Sequence, residues 1–432
     1  MSKDTRWDQG LSVAAGDSAL TGYAGAVLLR KLTDQCGLTA ALGAALAKTG
    51  KFPLLDRGVA LVSMAIAIVL GATSMSDIAL LAHQEPVFGA PPSDTTVRRT
   101  LELADDTTLR KAAKARATIR AYVRELIAKT PTGFPWLAIA GKTLTGWLVI
   151  DMDTTLITAH SDKEGAAPAF KKGYGFHPLG AWLANTAESL AMLLRPGNAG
   201  SNTVTDHIEV LTAAIAQIPA RWRSKIMVRV DGAGATHELV KHLLSLSARR
   251  RTVLFTCGWM ITGADEQAIA MLPAKAWTQA VDQDGTVQKK TAVAEITGLT
   301  SRADGWPDGL RWIVRRTKPS RRQMKNLTAF EKGTGSRYSI IVTSIRDDGI
   351  KDVPGTHHPQ FIDVLHREHA VVEDRVRTNK AMGLRNLPSK TWQVNRGWVL
   401  AANIAADLAA WTRLLGLHDD PELRDADPDT LR

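Results

Sequence analysis

Two short apolar runs that each end in aspartate constrain the fold of this chain more than any other feature. The first is Val149-Ile150-Asp151-Met152-Asp153-Thr154-Thr155. The second is Met227-Val228-Arg229-Val230-Asp231-Gly232-Ala233-Gly234. A strand that ends in Asp leaves a carboxylate at the lip of a sheet, which is where ligands bind in α/β folds. Side chains on a strand repeat every two residues, so Asp151 and Asp153 point to one side. Geometry along one strand does not decide which of the two is a ligand.

The surrounding pattern places both runs in one layered unit. Strands are expected at 146–157, 178–185 and 189–195, then a helix at 203–218 with apolar residues at Ile208, Leu211, Ile215 and Ile218. A strand at 226–230, a helix at 237–247 and a strand at 252–257 follow. Three strands, a helix, a strand, a helix and a strand make an α/β domain. Alternation returns at 287–296, 310–316 and 337–344, which reads as a mostly β insertion. Within it lie Arg311, Arg315, Arg316, Lys318, Arg321, Arg322 and Lys325, near Trp306 and Trp312. Arg with Trp suits phosphate contact and base stacking; the bland alternative is a strand edge protected by charge.

The first 135 residues read as helical, rich in Ala, Leu and Val, with breaks at Gly50, Pro53, Gly71 and Pro91-Pro92. Between Ser74 and Arg99 the pattern is helix, loop, helix. The second of these helices opens on Ser93 and carries Arg98 and Arg99, which suits a major-groove reader. A basic helix with Arg110, Lys111, Lys114, Arg116, Arg120 and Arg124 comes next; its bland reading is a solvated face. The apolar run 58–72 is shorter than the ~20 residues needed to cross a bilayer, so a buried helix is expected and no membrane partner.

A long helix is expected from Phe361 to about Met382. His366, His369, Glu373, Arg377 and Lys380 are spaced to share one face of it. That face suits a metal-bound, phosphate-handling surface, with Glu373 as ligand and the cations on phosphate oxygens. Carboxylates without cysteine favour Mg²⁺, with Mn²⁺ as a substitute. Two such ions about 4 Å apart stabilise the attacking and leaving oxygens of an in-line phosphoryl displacement. The net charge of +11 over 432 residues raises the expectation of a polyanionic partner. Two cysteines, Cys36 and Cys257, make no disulfide framework, and the polar first ten residues hold no apolar signal core. A protein of the reducing cytoplasm is expected. The last residues, from Asp419, are acidic and read as a solvated, disordered tail.

At these residues the chain resembles the DDE transposases of bacterial insertion sequences, most closely insertion-sequence family 1380. Four strings carry the resemblance, in this order: Asp151-Met152-Asp153-Thr154-Thr155; Leu194-Arg195-Pro196-Gly197-Asn198; Val228-Arg229-Val230-Asp231-Gly232; and Glu373-Asp374-Arg375 leading to Lys380 and Gly383-Leu384-Arg385-Asn386-Leu387-Pro388. The resemblance spans roughly Trp136 to Leu415. It implies an RNase H-like core with a β insertion between the second Asp and the Glu, preceded by a helical N-terminal domain. The implied division is 1–135 helical and end-binding, 136–265 core, 266–350 insertion, 351–418 core helices with the catalytic Glu, and 419–432 tail. It further implies Asp153, Asp231 and Glu373 as metal ligands, Asp153 being preferred over Asp151 because hydroxyl residues follow it. DNA contacts are assigned to Lys380, Arg377, Arg98, Arg99, Arg315, Arg316, Arg321 and Arg322. The expected partners are double-stranded DNA, the terminal inverted repeats and target DNA, with the protein a homodimer on DNA. Related transposases carry Tyr and Arg where this chain has His366 and His369, so a hairpin intermediate is not implied. The rival readings are a nuclease or domesticated relative that cuts without joining, and an inactive DNA-binding protein.

Overall fold

The computed structural model describes residues 23, 25–48, 50, 53–170, 173–232 and 234–431. The N-terminal third is helical: α1 (Ala26–Gln35), α2 (Leu38–Leu46), α3 (Arg57–Val69), α4 (Glu85–Phe88), α5 (Asp94–Leu101) and α6 (Asp106–Ala128), with a 3₁₀ stretch over Met75–Gln84. Short polar side chains fix the starts. Asp56 accepts from the Gly58 and Val59 amides at 2.8 and 3.1 Å, and Asp105 accepts from the Thr108 amide at 2.7 Å. The apolar run becomes α3, which is buried from Ala60 to Ile68. A Cβ on Gly58 would lie 2.3 Å from the Gly43 amide nitrogen of α2, so this close helix crossing requires glycine. Among the described residues no helix is long and apolar enough to cross a membrane.

After a short ribbon of β1 (Ala138–Ile139) and β2 (Lys142–Thr143) comes β3 (Leu148–Thr154). A small sheet of β4 (Ile157–Thr158), β5 (Ala167–Pro168) and β6 (Tyr174–Phe176) interrupts the path to β7 (Leu179–Leu183) and β8 (Glu188–Leu193). Then follow α7 (Val204–Ala216), β9 (Lys225–Val230), α8 (His237–Ser245), β10 (Thr252–Met260) and α9 (Gly263–Ala270). The strands expected in the insertion are β12 (Val287–Glu295), β13 (Arg311–Thr317) and, after α10 (Ala329–Thr334), β14 (Arg337–Thr343), and they are preceded by β11 (Thr278–Val281), which is not among the expected strands. They do not form a sheet of their own. β14 pairs with β10, and one nine-stranded sheet runs in the order β11-β12-β13-β14-β10-β9-β3-β7-β8. Only β3, β9 and β10 are mutually parallel; the other pairings are antiparallel.

Strand alternation sorts the central strands onto two faces. Leu148, Ile150 and Met152 of β3 share a core with Ile226, Val228 and Val230 of β9 and with Val210, Leu211, Leu239 and Leu243 of α7 and α8. Val149 and Met227 belong to the opposite face, with Phe361, Ile362, Val364 and Leu365 of α11 (Pro359–Arg367). Asp151, Asp153 and Arg229 have the parity of this second face. The helix expected to run unbroken to Met382 is instead interrupted by a 3₁₀ turn over Glu368–Val371 before α12 (Val372–Asn379), and a π turn follows at Lys380–Leu384. The long apolar α13 (Trp392–Gly416) then packs against α3 and β8.

The basic helix α6 is not a solvated face along its whole length. Arg116, Arg120 and Arg124 are buried against Glu188 of β8 and Asp407 of α13. Arg124 meets Glu188 at 2.8 Å, Arg116 meets Asp407 at 2.9 Å and Arg120 meets Asp407 at 2.6 Å. Thr186 and Trp411 also donate to Glu188, at 2.7 and 3.1 Å. Burial opposes the charge on Glu188, but the Arg124 and Arg120 guanidiniums outweigh it and draw the carboxyl down to about 2. This network ties the N-terminal helices to the edge of the sheet. The three arginines are thereby removed from the set available to a ligand, because a buried charge needs its partner. The acidic tail also departs from expectation: it is ordered, and forms α14 (Pro421–Asp425) against α13.

The depressed carboxyl of Glu188 stabilises the fold fully above pH 4.5, and the contribution is lost as the pH falls from there toward about 2. Glu188→Gln is expected to remove that part of the acid dependence and to cost about 3–5 kcal/mol at neutral pH in urea unfolding. A cost below about 1 kcal/mol, as for an exposed pair, would contradict the role given to the network.

Candidate active site

The site begins with strand register. β3 and β9 pair in parallel with Asp151 opposite Arg229 and Met152 opposite Val230. The next positions are Asp153 and Asp231, so the two residues stand side by side where neighbouring strands end, strands in a sheet lying about 4.8 Å apart. Both are half-buried, at the carboxyl-terminal lip of the parallel strands. The Asp231 carboxylate accepts from the Gly234 amide at 3.3 Å, which closes the turn after β9. Asp153 accepts from the Thr154 amide at 2.7 Å.

Asp151 is differently placed. It is buried, and its two oxygens take Nε and Nη2 of Arg229, each at 2.7 Å. His369 Nδ1 lies 3.0 Å from the same carboxylate, and Arg229 Nη1 donates to the Leu365 carbonyl at 3.1 Å. Burial opposes the charge of Asp151, yet Arg229 and His369 hold its carboxyl below the usual range. With its oxygens engaged, Asp151 joins two strands to the helices above them. Asp153 carries no such clamp.

The break in the helix explains how the expected face divides. His366 and His369 precede or lie within the 3₁₀ turn and point into the protein; Glu373, on α12, is exposed. His366 Nδ1 lies 3.1 Å from Thr256 Oγ1 of β10, and burial together with His369 and Arg229 pushes its imidazole down to about 3, so it is neutral. A Cβ on Gly258 would come within 2.1 Å of His366 Nε2, so the ring occupies the space of an absent side chain. At the far end of α12, buried Asn379 accepts from Trp182 Nε1 at 3.1 Å and donates to Ser189 Oγ at 3.2 Å. Anchored at His369 and Asn379, α12 sets Glu373 near the sheet lip.

Electrostatics link the three carboxylates. Burial and then the Asp231 charge raise Asp153 to about 6, and Glu373 adds to the rise while His369 opposes it. Among the described residues no group of three or more His, Cys, Asp or Glu side chains is placed so that it could hold a metal ion. The arrangement is a half-buried pair, Asp153 and Asp231, with Glu373 approaching from a helix. Two neighbours escaped the sequence reading. His207 of α7 is buried with Nδ1 2.8 Å from the Thr203 carbonyl, and burial lowers its pKa while Asp231 opposes the change. Arg229 carried a legible signal, since a lone Arg in a buried strand demands a carboxylate on its neighbour.

The cations proposed for DNA are dispersed. Arg98 and Arg99 are exposed on α5, Arg98 pairing with Glu102 at 3.1 Å. Arg377 is exposed beside Asp374 at 3.1 Å, and Lys380 is half-buried at the start of the π turn. In the sheet extension Arg321 and Arg322 are exposed in the loop after β13. Arg315 is instead half-buried with Nε 3.8 Å from Asp363, and Arg316 lies over the Trp277 ring at 4.1 Å. Arg311 is bound to Glu295 at 2.6 Å. The tryptophans expected to stack on bases pack on one another: Trp306 lies 5.4 Å from Trp259 and 5.6 Å from buried Trp312.

The sequence profile of the family described as Transposase DDE domain group 1 matches residues 8–432. No curated protein is similar to the chain in sequence at a significant level. Among solved structures, the chain is similar to the cryo-EM structure of piggyBac transposase synaptic complex with hairpin DNA, at 12% identity, over 91% of this chain and 75% of that one, with a TM-score of 0.42.

The two aspartates of β3 are expected to respond in opposite senses in metal-free buffer. A raised carboxyl costs stability fully above about pH 6 and nothing below its ordinary 3.8. Asp153→Asn should therefore stabilise the protein by about 1–3 kcal/mol at pH 8, a gain that disappears below pH 4. Asp151→Asn should destabilise it by about 3–5 kcal/mol, because Arg229 loses its counter-charge. Urea unfolding of both variants checks this; equal destabilisation by the two would refute the division of roles.

Proposed function

The chain belongs to the Transposase DDE domain group 1 family, and from that premise we propose that it cuts and rejoins DNA strands at transposon ends with Asp153, Asp231 and Glu373. The observation that supports this most is the register of β3 and β9, which sets Asp153 beside Asp231 under the helix that bears Glu373. The strand order β8-β7-β3-β9-β10, antiparallel on one side of β3 and parallel on the other, supports an RNase H-like core. The Asp151-to-Thr155 and Glu373-to-Pro388 strings support a place near insertion-sequence family 1380.

The donor set fits a hard divalent cation: three carboxylates, no thiolate, and a repulsion between Asp153 and Asp231 that a cation would relieve. Asp153, Asp231 and Glu373 would hold Mg²⁺, or Mn²⁺ in its place, and when bound it activates the attacking oxygen and neutralises charge on the leaving one. The protein residues do the rest. Arg229, Asp151 and His369 fix the spacing of the strand ends to the helix. Neutral His366 fills the gap over Gly258 and keeps the floor rigid. Lys380 and Arg377 are assigned to DNA phosphates next to the carboxylates.

Recognition is assigned to the N-terminal helical region, residues 1–135, with Arg98 and Arg99 of α5 on the terminal inverted repeats. The exposed Arg321 and Arg322 in the 266–350 extension are assigned to flanking or target DNA, Arg316 contributing at its edge. Two ends have to be joined, so the working unit on double-stranded DNA is a homodimer.

The test is cleavage of a duplex carrying the element's own end, with Mg²⁺. Asp231→Asn and Glu373→Gln are expected to bind the duplex as wild type does and to lose cutting by on the order of 10³-fold. Variants that cut as fast as wild type would show that the site is elsewhere.

A further inference from the structure

The C-terminal segment holds six carboxylates between Asp419 and Asp429, in a chain whose net charge is +11. It is folded back onto the protein. Asp420 caps α14 by accepting from the Leu423 amide at 3.1 Å, Arg413 of α13 donates to the Ala426 carbonyl at 2.9 Å, and Pro428 is buried. Arg385, just after the π turn, lies 3.7 Å from Asp429 although both side chains are more than half exposed. Asp425 and Asp427 line a cavity of about 650 Å³ that is also lined by Arg375 and Arg377 of α12 and by Arg413. Arg375 Nε is buried there without a partner among the described residues. Burial and the Arg375 charge lower the pKa of Arg413, and Asp427 and Asp425 oppose them.

Asp429 therefore meets a cation on the turn that follows the helix carrying Glu373, and Asp425 and Asp427 share a cavity with Arg375, Arg377 and Arg413, Asp425 being itself paired with Arg424 at 2.8 Å and Arg377 with Asp374 at 3.1 Å. Exposed pairs of this length are weak and are screened by salt. Duplex DNA presents one negative charge about every 1.7 Å and competes effectively for such cations. We propose that the acidic C-terminal segment is an intramolecular stand-in for the DNA backbone: it lies against Arg385 and Arg413 in the free protein and is displaced when a duplex enters. This inference rests on the reading that duplex DNA is the substrate. It makes the segment a filter against weak, non-specific contact, since a ligand has to displace it before reaching the cations beside the site.

The experiment uses the full chain with Asp425→Asn, Asp427→Asn and Asp429→Asn together. The control carries the same charge change on other exposed turns, as Asp284→Asn, Asp347→Asn and Asp348→Asn. Retention on immobilised heparin and the Kd for a random-sequence duplex are measured for both. The tail variant is expected to elute at higher salt than the control and to bind duplex about 5–20-fold more tightly at 50 mM salt, the gap closing by 300 mM. Equal behaviour of tail variant and control overturns the proposal. If neither protein binds duplex but the tail variant alone gains heparin retention, the DNA reading fails while the covering role of the segment stands. Weaker heparin and duplex binding by the tail variant than by the control would also overturn the proposal, because it would give the acids a purely structural part.

Discussion

The bidentate pair between Arg229 and Asp151 holds the architecture of the site together. It lies buried between two parallel strands and so fixes which residue of β3 stands beside which residue of β9. A slip of one residue would turn Asp153 and Asp231 to opposite faces of the sheet. It would also leave a guanidinium and a carboxylate unpaired in the core, at a cost of several kcal/mol each. His369 and the Leu365 carbonyl bind the same pair from above, so one charge cluster sets both the spacing of the strands and the seat of the helices. The half-buried Asp153, pressed against Asp231, sits beside this cluster, in which both Asp151 oxygens are paired while His369 Nε2 is buried without a hydrogen-bond partner among the described residues.

A second buried cluster does the equivalent job at the sheet edge. Arg116, Arg120 and Arg124 reach from the N-terminal helix α6 to Glu188 and Asp407, and so join the helical layer to β8 and α13. The helix that bears Glu373 is held between these two clusters, with His369 at one end and Asn379 at the other. A region assigned to DNA-end recognition is in this way mechanically continuous with the carboxylates.

The strands of the large sheet and the helices from Leu148 to Met260 were legible because their apolar residues keep a clear period of two or of 3.6; the short β4, β5 and β6 have too few residues to show a period. The pair of strand-end aspartates was legible for the same reason. The choice between Asp151 and Asp153 was not, since both lie on one face of β3 and only the arginine on the adjacent strand distinguishes them. The break at Glu368–Val371 was hidden because nothing in His366 to Glu373 forbids a continuous helix; it arises where His366 and His369 are drawn to Thr256 and Asp151. The basic residues misled for a related reason. A row of arginines reads as a surface until its carboxylates are found far away in sequence, as Glu188 and Asp407 are for α6 and Asp363 is for Arg315. The acidic tail likewise lacks an internal pattern, and its seat depends on Arg413 and Arg385 and on the burial of Pro428.

The central claim is that Asp153 and Asp231, and not Asp151, hold a divalent cation together with Glu373. An anomalous difference map from crystals grown with Mn²⁺ and an end-bearing duplex addresses it most directly. The account predicts a peak at the Asp153 and Asp231 carboxylates, with Glu373 drawn toward it and the Asp151 pair with Arg229 intact. A peak on Asp151 with Arg229 displaced, or manganese bound only away from these strand ends, would contradict it.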